Sequence, residues 1–165
     1  MSKGATTKAN TPAIKWLQAN GFEFELLPYD YVERGGATHS ANVLGLEPAS
    51  VIKTLIMQDE AAKPLAVLMH GNMDVSTKQL ARDIGRKLVV PCKPEVANKH
   101  SGYLVGGTSP FGLRKDMPVF VEASVLDLPL IAINAGQRGL LLRLKPKPCL
   151  SALDAVQVHC AQAKT

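Results

Sequence analysis

The segment from Ser101 to Gly112 constrains this chain most, because four glycines and one proline interrupt an otherwise apolar run. Glycine permits positive φ angles and lets a ligand or another chain approach the backbone closely. Pro110 fixes its own φ and lacks an N–H, which leaves the neighbouring N–H groups as candidate anion donors. The pattern predicts either a tight turn between two strands or a backbone shaped to hold a ligand.

Length and composition are those of one folded domain. The chain has 165 residues, 46% of them apolar, and a mean hydropathy of +0.04, which favours a real core over disorder. We expect residues 1–10 to form a flexible polar leader and residues 11–160 to form one domain. No stretch approaches the roughly 18 consecutive apolar residues of a membrane span, so a cytoplasmic protein that does not enter a membrane is expected.

Cysteines and histidines show no pattern of a metal site. Cys92, Cys149 and Cys160 are odd in number, widely spaced and outside any Cys-x-x-Cys motif. Buried or incidental thiols are therefore expected rather than a disulfide framework or a zinc site. The four histidines are equally scattered, and we predict no structural metal. The sequence also lacks Gly-x-x-x-x-Gly-Lys-Ser/Thr, Gly-x-Gly-x-x-Gly and Gly-x-Ser-x-Gly.

The net charge of +5 is distributed unevenly along the chain. From residue 78 to residue 115, only Asp83 and Glu95 oppose a basic cluster, whose members are Lys78, Arg82, Arg86, Lys87, Lys93, Lys99, Arg114 and Lys115. Such a cluster suits a polyanion, because Lys and Arg release counterions from phosphates. Aromatic residues make up only 5% of the chain, so platforms for base stacking are scarce and a solvated basic face without a partner is the alternative.

Capping residues and hydrophobic periodicity predict short helices between strands. The helices are expected at 12–19 after Thr11, at 41–44 capped by Ser40, and at 76–84, 94–100 and 150–158. The strands are expected at 22–27, 51–57, 65–70, 88–90, 119–121, 130–134 and 140–144, the last two forming a hairpin across the turn 136–139. Strands outnumber helices and include hairpin neighbours, so we predict a single α+β domain rather than a doubly wound parallel sheet.

Lys53 is a candidate functional residue because it lies within the apolar strand from Val51 to Met57. A buried ammonium is costly unless it is paired or faces a cleft. The alternative is a lysine near the end of the strand whose ammonium reaches water.

Three motifs occur in order along the chain: Val51-Ile52-Lys53-Thr54-Leu55, the segment from Gly102 to Gly112, and the turn from Gly136 to Gly139. In this order they resemble the YbaK/EbsC family of aminoacyl-tRNA deacylases, which is similar to the editing domain of bacterial prolyl-tRNA synthetases. The resemblance runs from about Thr11 to Leu153. It implies an α+β fold whose mixed sheet curves towards a barrel, with short helices around it.

The resemblance also implies an activity, which is hydrolysis in trans of the ester of misacylated tRNA, with Cys-tRNA(Pro) as the usual substrate. It implies no metal or organic cofactor, the acceptor end of tRNA as the ligand, and prolyl-tRNA synthetase as a candidate partner. We expect a monomer. The catalytic residues implied are Lys53, Gly106, Gly107, Thr108 and Ser109. The substrate-binding residues implied are Tyr29, Thr54, Gly102, Pro110, Gly136 and Arg138.

These residue types suit ester cleavage. Main-chain N–H groups from Gly106 to Ser109 are candidate donors to the oxygen that gains charge. We assign charged Lys53 to the terminal phosphate or the ribose. Thr108 and Ser109 are poor covalent nucleophiles, since no local His-Asp arrangement would activate them. In the cysteine-handling branch, the substrate thiol itself is thought to attack the ester.

One departure bears on the amino acid removed. Cysteine-handling members have an acidic residue soon after the Arg-Gly turn, whereas this chain has Leu140, Leu141 and Leu142. Alanine, serine and threonine are therefore alternatives to cysteine. Asp30 and His39 either contribute to the pocket or belong to a surface turn. Two other functions stay open: a module that binds the tRNA end or a synthetase without hydrolysis, and an enzyme for a phosphorylated small molecule.

Overall fold

The computed structural model describes residues 9–164, which contain five helices and ten strands. The helices are α1 (Pro12–Ala19), α2 (Gly36–Leu44), α3 (Thr77–Ile84), α4 (Pro94–Ser101) and α5 (Pro146–Ala152). The strands are β1 (Glu25–Pro28), β2 (Val51–Asp59), β3 (Pro64–His70), β4 (Met73–Val75), β5 (Val89–Pro91), β6 (Val119–Glu122), β7 (Ile131–Gln137), β8 (Leu140–Leu144), β9 (Val156–Val158) and β10 (Ala161–Ala163). Most of the predicted polar leader, at residues 1–8, lies outside the described residues.

Eight of the strands form one mixed sheet. Its order is β1-β8-β7-β2-β3-β6-β9, and β5 pairs with β2 outside this path. The pairs β2–β7, β3–β6 and β6–β9 are parallel, whereas the other neighbours are antiparallel. Strands β4 and β10 form a separate antiparallel pair. The predicted α+β domain with a mixed sheet and short helices is confirmed.

Both faces of the central strand β3 are covered. Its Ala66 and Leu68 belong to the largest core cluster, which also contains Leu17 of α1 and Phe111. Its Leu65, Val67 and Met69 belong to a second cluster, which includes Leu80 of α3. Alternate side chains of a strand point to opposite faces, so the two clusters place helices on both sides of the sheet.

The capping residues predicted for α1 and α3 act as expected. Thr11 Oγ1 accepts a hydrogen bond from the N–H of Ile14 at 3.1 Å, and Ser76 Oγ accepts one from the N–H of Gln79 at 3.2 Å. These bonds satisfy N–H groups that a helix start leaves free. Helix α3 ends at Gly85, whose φ of +71° is readily adopted by glycine.

Ser40 is not the helix cap that the sequence predicted. Helix α2 begins at Gly36, one turn earlier, and the Ser40 hydroxyl donates to the carbonyl of Ala37 at 3.1 Å within the helix. Serine can make this backward bond inside a helix as well as the capping bond, which is why the local pattern was misleading.

The helix predicted over 150–158 is also wrong in its bounds. Helix α5 spans Pro146–Ala152, and Val156–Val158 forms strand β9 beside β6. Pro146 at the first helical position favours this early start. Strand pairing with β6 prevails over the helical periodicity beyond Asp154, whose φ is +55°. The first strand is likewise shorter than predicted, at Glu25–Pro28, and β4 and β10 were not predicted.

Within the described part of the chain, no helix has the length and apolar character needed to span a membrane.

Candidate functional site

A gap in the main sheet defines the site. Strand β2 pairs with β3 from Ile52 to Gln58. On its other edge, β2 pairs with β7 only at Val51 and Ile52, and with β5 only from Met57 onward. Between these two partners, the edge of β2 faces a cavity instead of a strand.

The cavity has a volume of about 670 Å³, within the range of small-molecule sites. Its walls come from β2, the end of β5, helix α2 and the preceding loop, the loop at 105–108, and the hairpin of β7 and β8. Six of the residues predicted from the sequence line it: Tyr29, Lys53, Thr54, Gly106, Thr108 and Arg138. The other five do not line it: Gly102, Gly107, Ser109, Pro110 and Gly136.

Lys53 and Thr54 both reach the cavity although they are consecutive residues of one strand. Successive side chains of a strand point to opposite faces. Both residues line the same cavity, which fits a cavity that opens at the edge of the strand rather than over one face.

The Lys53 ammonium is partly shielded from water. The side chain is 25% exposed, and Nζ lies 3.8 Å from Oδ1 of Asp74 in β4. Burial lowers the pKa of Lys53, Lys164 lowers it further, and Asp74 opposes both effects. Sequence analysis did not pair Asp74 with Lys53, because their contact depends on how strand β4 packs in the folded chain.

Thr54 has unused hydrogen-bonding capacity. Its Oγ1 is buried and makes no hydrogen bond within the part of the chain that the structure describes. Buried hydroxyls usually have a hydrogen-bond partner. The Thr54 hydroxyl is therefore an unpaired polar group at the open edge of β2.

The glycine-rich loop begins where α4 ends at Gly102. Asn98 Oδ1 accepts from the N–H of Val105 at 2.9 Å, and the carbonyl of Leu104 accepts from the N–H of Gly107 at 2.7 Å. Gly106 has a φ of +95°, a conformation that favours glycine. Of the predicted main-chain donors, the N–H of Gly107 is thus already used inside the loop.

The hairpin of β7 and β8 holds this loop against the cavity. Arg138 donates from Nε and Nη2 to the carbonyl of Val105 at 3.0 and 2.8 Å. Its guanidinium also lies 5.3 Å from the ring centroid of Tyr31, a cation–π distance. Arg138 therefore positions the loop, in addition to lining the cavity as the sequence predicted.

Asn134 is a residue of the cavity that the sequence analysis did not name. Its Nδ2 donates to the carbonyl of Gly106 at 3.1 Å, and its Oδ1 accepts from the N–H groups of Gly136 and Gln137 at 2.7 and 3.0 Å. The signal available was a polar amide at the end of an apolar strand, directly before a glycine turn. The amide connects that turn to the loop across the cavity.

Three of the five predicted residues that do not line the cavity pack closely against neighbouring segments. Ser109 is fully buried, and its Oγ accepts from the N–H of Phe111 at 3.2 Å. A Cβ at Gly136 would lie 2.7 Å from the ring of Tyr103, and one at Gly107 would lie 2.9 Å from the Arg138 nitrogen. These contacts support the loop from within the core.

The wall opposite the loop contains Tyr29 and His39. Their ring centroids are 6.0 Å apart, and His39 Nε2 lies 2.8 Å from the carbonyl oxygen of Asp30. Burial raises the pKa of Tyr29. Of the two residues with open roles, His39 lines the cavity and Asp30 does not. Leu141, which follows the Arg138-Gly139 turn, adds an apolar side chain to the lining.

The chemistry available in the cavity is electrostatic. It offers the Lys53 ammonium, the guanidinium groups of Arg34 and Arg138, and loop N–H groups, and its lining also contains Glu33, His39 and many apolar side chains. Among residues 9–164, no group of three His, Cys, Asp or Glu side chains is placed to hold a metal ion. Such a set suits a small ligand with an anionic or carbonyl group.

Known proteins with similar sequences or folds include three that bear on the site. The Enterococcus faecalis protein EbsC, named as a candidate Cys-tRNA(Pro)/Cys-tRNA(Cys) deacylase, is 27% identical over 146 residues, or 88% of this chain and 89% of EbsC. The proline–tRNA ligase of Limosilactobacillus fermentum is 26% identical over 104 residues, or 61% of this chain and 18% of the ligase. A crystal structure of a candidate trans-editing enzyme for prolyl-tRNA synthetase has the same fold, with a TM-score of 0.81, 20% identity and 99% coverage of both chains.

The sequence profile of the aminoacyl-tRNA editing domain matches residues 35–150. This region includes β2, the glycine-rich loop and the hairpin, which together form most of the cavity. The resemblance deduced from the three motifs is thereby confirmed. The chain belongs to the aminoacyl-tRNA editing domain family.

Proposed function

We propose that this protein is a free-standing deacylase that hydrolyses the ester of tRNA carrying a wrong small amino acid. The observation that carries this proposal is the cavity at the gap in the sheet, where Lys53 and the loop at Gly106 lie in a chain of the editing family. In the reaction, the bond between the acyl carbon and the ribose oxygen breaks. Water supplies a hydroxyl to the acyl carbon and a proton to the ribose oxygen.

The loop supplies the donors for the oxyanion in this proposal. Because the N–H of Gly107 is bonded to Leu104, we assign the role to the N–H groups of Gly106 and Thr108. Both residues line the cavity. Donors fixed before the reaction stabilise developing charge without reorganisation, and the bonds from Asn134 and Arg138 fix this loop.

Lys53 binds the terminal phosphate or the ribose of the tRNA end in this proposal. Asp74 lies beside it and favours the ammonium, so we assign Lys53 to binding rather than to general-base catalysis. The substrate is Cys-tRNA(Pro), as the name of EbsC suggests, or tRNA charged with alanine, serine or threonine. Leu141 in the lining favours an apolar contact with the amino-acid side chain.

A basic groove supports tRNA as the ligand. This groove has a volume of about 410 Å³ and is lined by α3 and the residues before β5, including Lys78, Arg82, Arg86 and Lys87. Val89 lines the groove, and Pro91 at the other end of β5 lines the cavity. A strand rises about 3.3 Å per residue, so the two sites lie close enough for one acceptor end to touch both.

Prolyl-tRNA synthetase is the candidate partner. The matched region makes up 18% of the proline–tRNA ligase relative, which suggests that this chain performs separately what that enzyme carries within a larger protein. We propose that it acts as a monomer that captures misacylated tRNA after release.

A binding module without hydrolysis is the second candidate. Among the described residues that line the cavity, no His-Asp pair is present to activate a nucleophile. This absence favours a module that binds without hydrolysis.

The test is a panel of tRNAs charged with Cys, Ala, Ser, Thr or Pro, incubated with excess protein and followed for release of the amino acid. Hydrolysis of one or more misacylated species faster than in buffer supports the deacylase. If tRNA binds in a filter assay but no species is hydrolysed, the binding module is correct and the deacylase proposal fails.

A further inference from the structure

The main-chain groups of Thr54 point into the gap of the sheet. The carbonyl of Val51 accepts from the N–H of Gly71 on the β3 side, whereas the carbonyl of Ile56 accepts from the N–H of Cys92 on the β5 side. In a strand, the N–H and C=O of one residue point to the same side, and this side alternates along the chain. Thr54 lies two residues before Ile56, so its N–H and C=O point away from β3.

Strand β7 does not reach these groups. The parallel register between β2 and β7 ends at Ile52 and Ile133. Beyond it, β7 is irregular between Asn134 and Gln137. The amide of Asn134 stabilises that irregularity through its bonds to Gly136 and Gln137.

The registers of β7 and β5 leave Thr54 without a paired residue on this side, and no turn or loop hydrogen bond of the described residues uses its main-chain N–H or C=O. Its Oγ1 is also without a partner. Unpaired main-chain groups in a cleft are costly unless water or a ligand satisfies them. The open edge therefore offers one donor and one acceptor, side by side, at the centre of the cavity.

We propose that this edge binds the aminoacyl group by its backbone-like atoms. The C=O of Thr54 accepts from the substrate α-ammonium, and the N–H of Thr54 donates to the acyl carbonyl or the ester oxygen. An α-aminoacyl ester presents a donor and an acceptor in the order of one residue of an extended strand, so it adds to the edge as a peptide adds to a sheet. This inference rests on the proposed function, because it specifies how the same cavity holds its substrate.

Recognition of this kind is independent of the amino-acid side chain. Any L-aminoacyl ester offers the same two groups to Thr54, while the volume and the apolar wall of the cavity select the side chain. A free α-ammonium is required, since its N–H groups are the partners of the carbonyl. Substrates that lack it should be rejected even when the tRNA and the side chain are unchanged.

The test uses an analogue that cannot be hydrolysed, 3′-deoxy-3′-alanylamino-adenosine, in which an amide replaces the ester. Its binding to the ¹⁵N-labelled protein is followed by NMR, beside the same compound acetylated on the α-amino group. We expect the Thr54 amide resonance to shift on binding. We also expect acetylation to weaken the affinity by about tenfold or more, as for a lost bond to a charged group.

Equal affinities for the two compounds, or an unmoved Thr54 resonance, would overturn the inference. The proposed deacylation is tested separately, because this measurement reads binding alone. A shift at Thr54 together with no hydrolysis of charged tRNA would keep the edge site and exclude the deacylase. Hydrolysis of charged tRNA together with an unmoved Thr54 resonance would support the deacylase and exclude the edge site.

A proline pair tests the geometry of the edge independently. Thr54→Pro removes an N–H that has no strand partner, a position where edge strands tolerate proline. Leu55→Pro removes an N–H directed at β3 and so breaks the ladder. We expect Thr54→Pro to bind the alanyl analogue at least about tenfold more weakly while melting well above Leu55→Pro. If Thr54→Pro unfolds as readily as Leu55→Pro, the Thr54 N–H is paired and the inference is wrong.

Discussion

Burial and Lys164 lower the pKa of Lys53, and the carboxylate of Asp74 opposes them. Burial favours the neutral amine and lowers the pKa, whereas Asp74 favours the ammonium. Nζ and the Asp74 carboxylate are 3.8 Å apart, and the Asp74 side chain is 41% exposed. The Lys53 ammonium at the cavity is only partly hydrated, which strengthens its attraction to an anionic ligand.

Removal of the carboxylate should lower the pKa of Lys53 further. Asp74→Asn leaves burial and Lys164 without an opposing charge, so the ammonium should lose its proton at a lower pH than in the wild type. The Cε resonance of ¹³C-labelled Lys53, titrated by NMR, measures this change. Asp127→Asn, which removes a carboxylate elsewhere, is the matched control; an equal pKa of Lys53 in Asp74→Asn and wild type would contradict the account.

The sign of the linked stability change follows from the same shift. The pKa of folded Lys53 lies below its ordinary value, so folding disfavours the ammonium, and this cost is complete below the folded pKa. The cost disappears as the pH rises through the folded pKa towards the ordinary value. Chemical denaturation of wild type and Lys53→Met across this pH range measures the effect. We expect the difference between their free energies of unfolding to shrink as the pH rises.

Of the three cysteines, Cys92 should be the reactive one. Burial raises the pKa of Cys149 to about 11 and that of Cys160 to about 12, and both thiols are buried. Burial also raises the pKa of Cys92, yet its side chain is only partly buried and lines the cavity. Thiolates are the reacting form, so iodoacetamide should label Cys92 first, faster at higher pH, as mass spectrometry would show.

Labelled protein should lose hydrolysis because the added group occupies the cavity. The activity of Cys92→Ala should be insensitive to the reagent. Loss of activity in the treated Cys92→Ala protein would place the inhibitory modification elsewhere and contradict this account.

At the scale of elements, the loop and the hairpin of β7 and β8 form one unit. Arg138 and Asn134 bond to the carbonyls of Val105 and Gly106. At Gly107, the loop passes so close to the hairpin that a Cβ would lie 2.9 Å from the nitrogen of Arg138 and 3.1 Å from the carbonyl carbon of Gln137. Since both are backbone atoms, the contact cannot be relieved by a change of rotamer.

Gly107→Ala should therefore displace the loop from the cavity. A shift of about 1 Å in a positioning element can lower a rate on the order of 100-fold, and we expect kcat/KM to fall by that order. Gly85→Ala is the control, because Gly85 has a positive φ but open space around it. The Gly85→Ala substitution should lower the free energy of unfolding by about 1 kcal/mol and leave kcat/KM unchanged. Equal kcat/KM values for Gly107→Ala and wild type would show that the loop does not position catalytic groups.

The sequence predicted the elements whose signals are local and missed those that depend on distant partners. Thr11, Ser76 and Gly85 mark their helix ends through bonds within one turn, and the apolar runs of β2 and β3 needed no partner to be recognised. Strand β9 was predicted as helix because only its pairing with β6 makes it a strand.

The same distinction holds for the candidate site. Lys53 and Gly106, which line the cavity, were named because a lysine in an apolar strand and a glycine-rich loop are unusual local signals, and Thr54 was named from the family resemblance. Asp74 and Asn134 were missed because their roles depend on contacts with Lys53 and Gly106, which are far away in sequence. The open edge of β2 was not predictable either, since it results from where β7 and β5 stop pairing.

At the scale of the whole molecule, the proposed function makes the basic groove and the cavity one surface for a nucleic acid. The exposed cations Lys78, Arg82 and Lys87 lie at one end of β5 and the cavity lies at the other. Arg86 is partly engaged with Asp59 at 3.1 Å. Phosphate contacts of this kind give affinity without sequence specificity, which suits the proposed binding of a tRNA by its acceptor end.

Neutralising the groove should weaken the binding of tRNA. It should also make the tRNA affinity less dependent on salt concentration. For Lys78→Gln with Arg82→Gln, we expect the slope of log affinity against log salt to fall by about 2, or about 1 for each phosphate contact. Lys145→Gln with Lys147→Gln removes the same charge from residues that line neither the groove nor the cavity. An equal decrease in slope for both pairs would mean that net charge, rather than this groove, binds tRNA.

The most direct test of the account compares Lys53→Met with Lys63→Met in single-turnover hydrolysis of the misacylated tRNA that the wild type prefers. Lys53 lines the cavity, whereas Lys63 is an exposed residue in the turn before β3. We predict that Lys53→Met loses hydrolysis while it remains folded, and that Lys63→Met retains the wild-type rate. Equal rates for the two variants would show that the cavity at the gap in the sheet is not the site of deacylation.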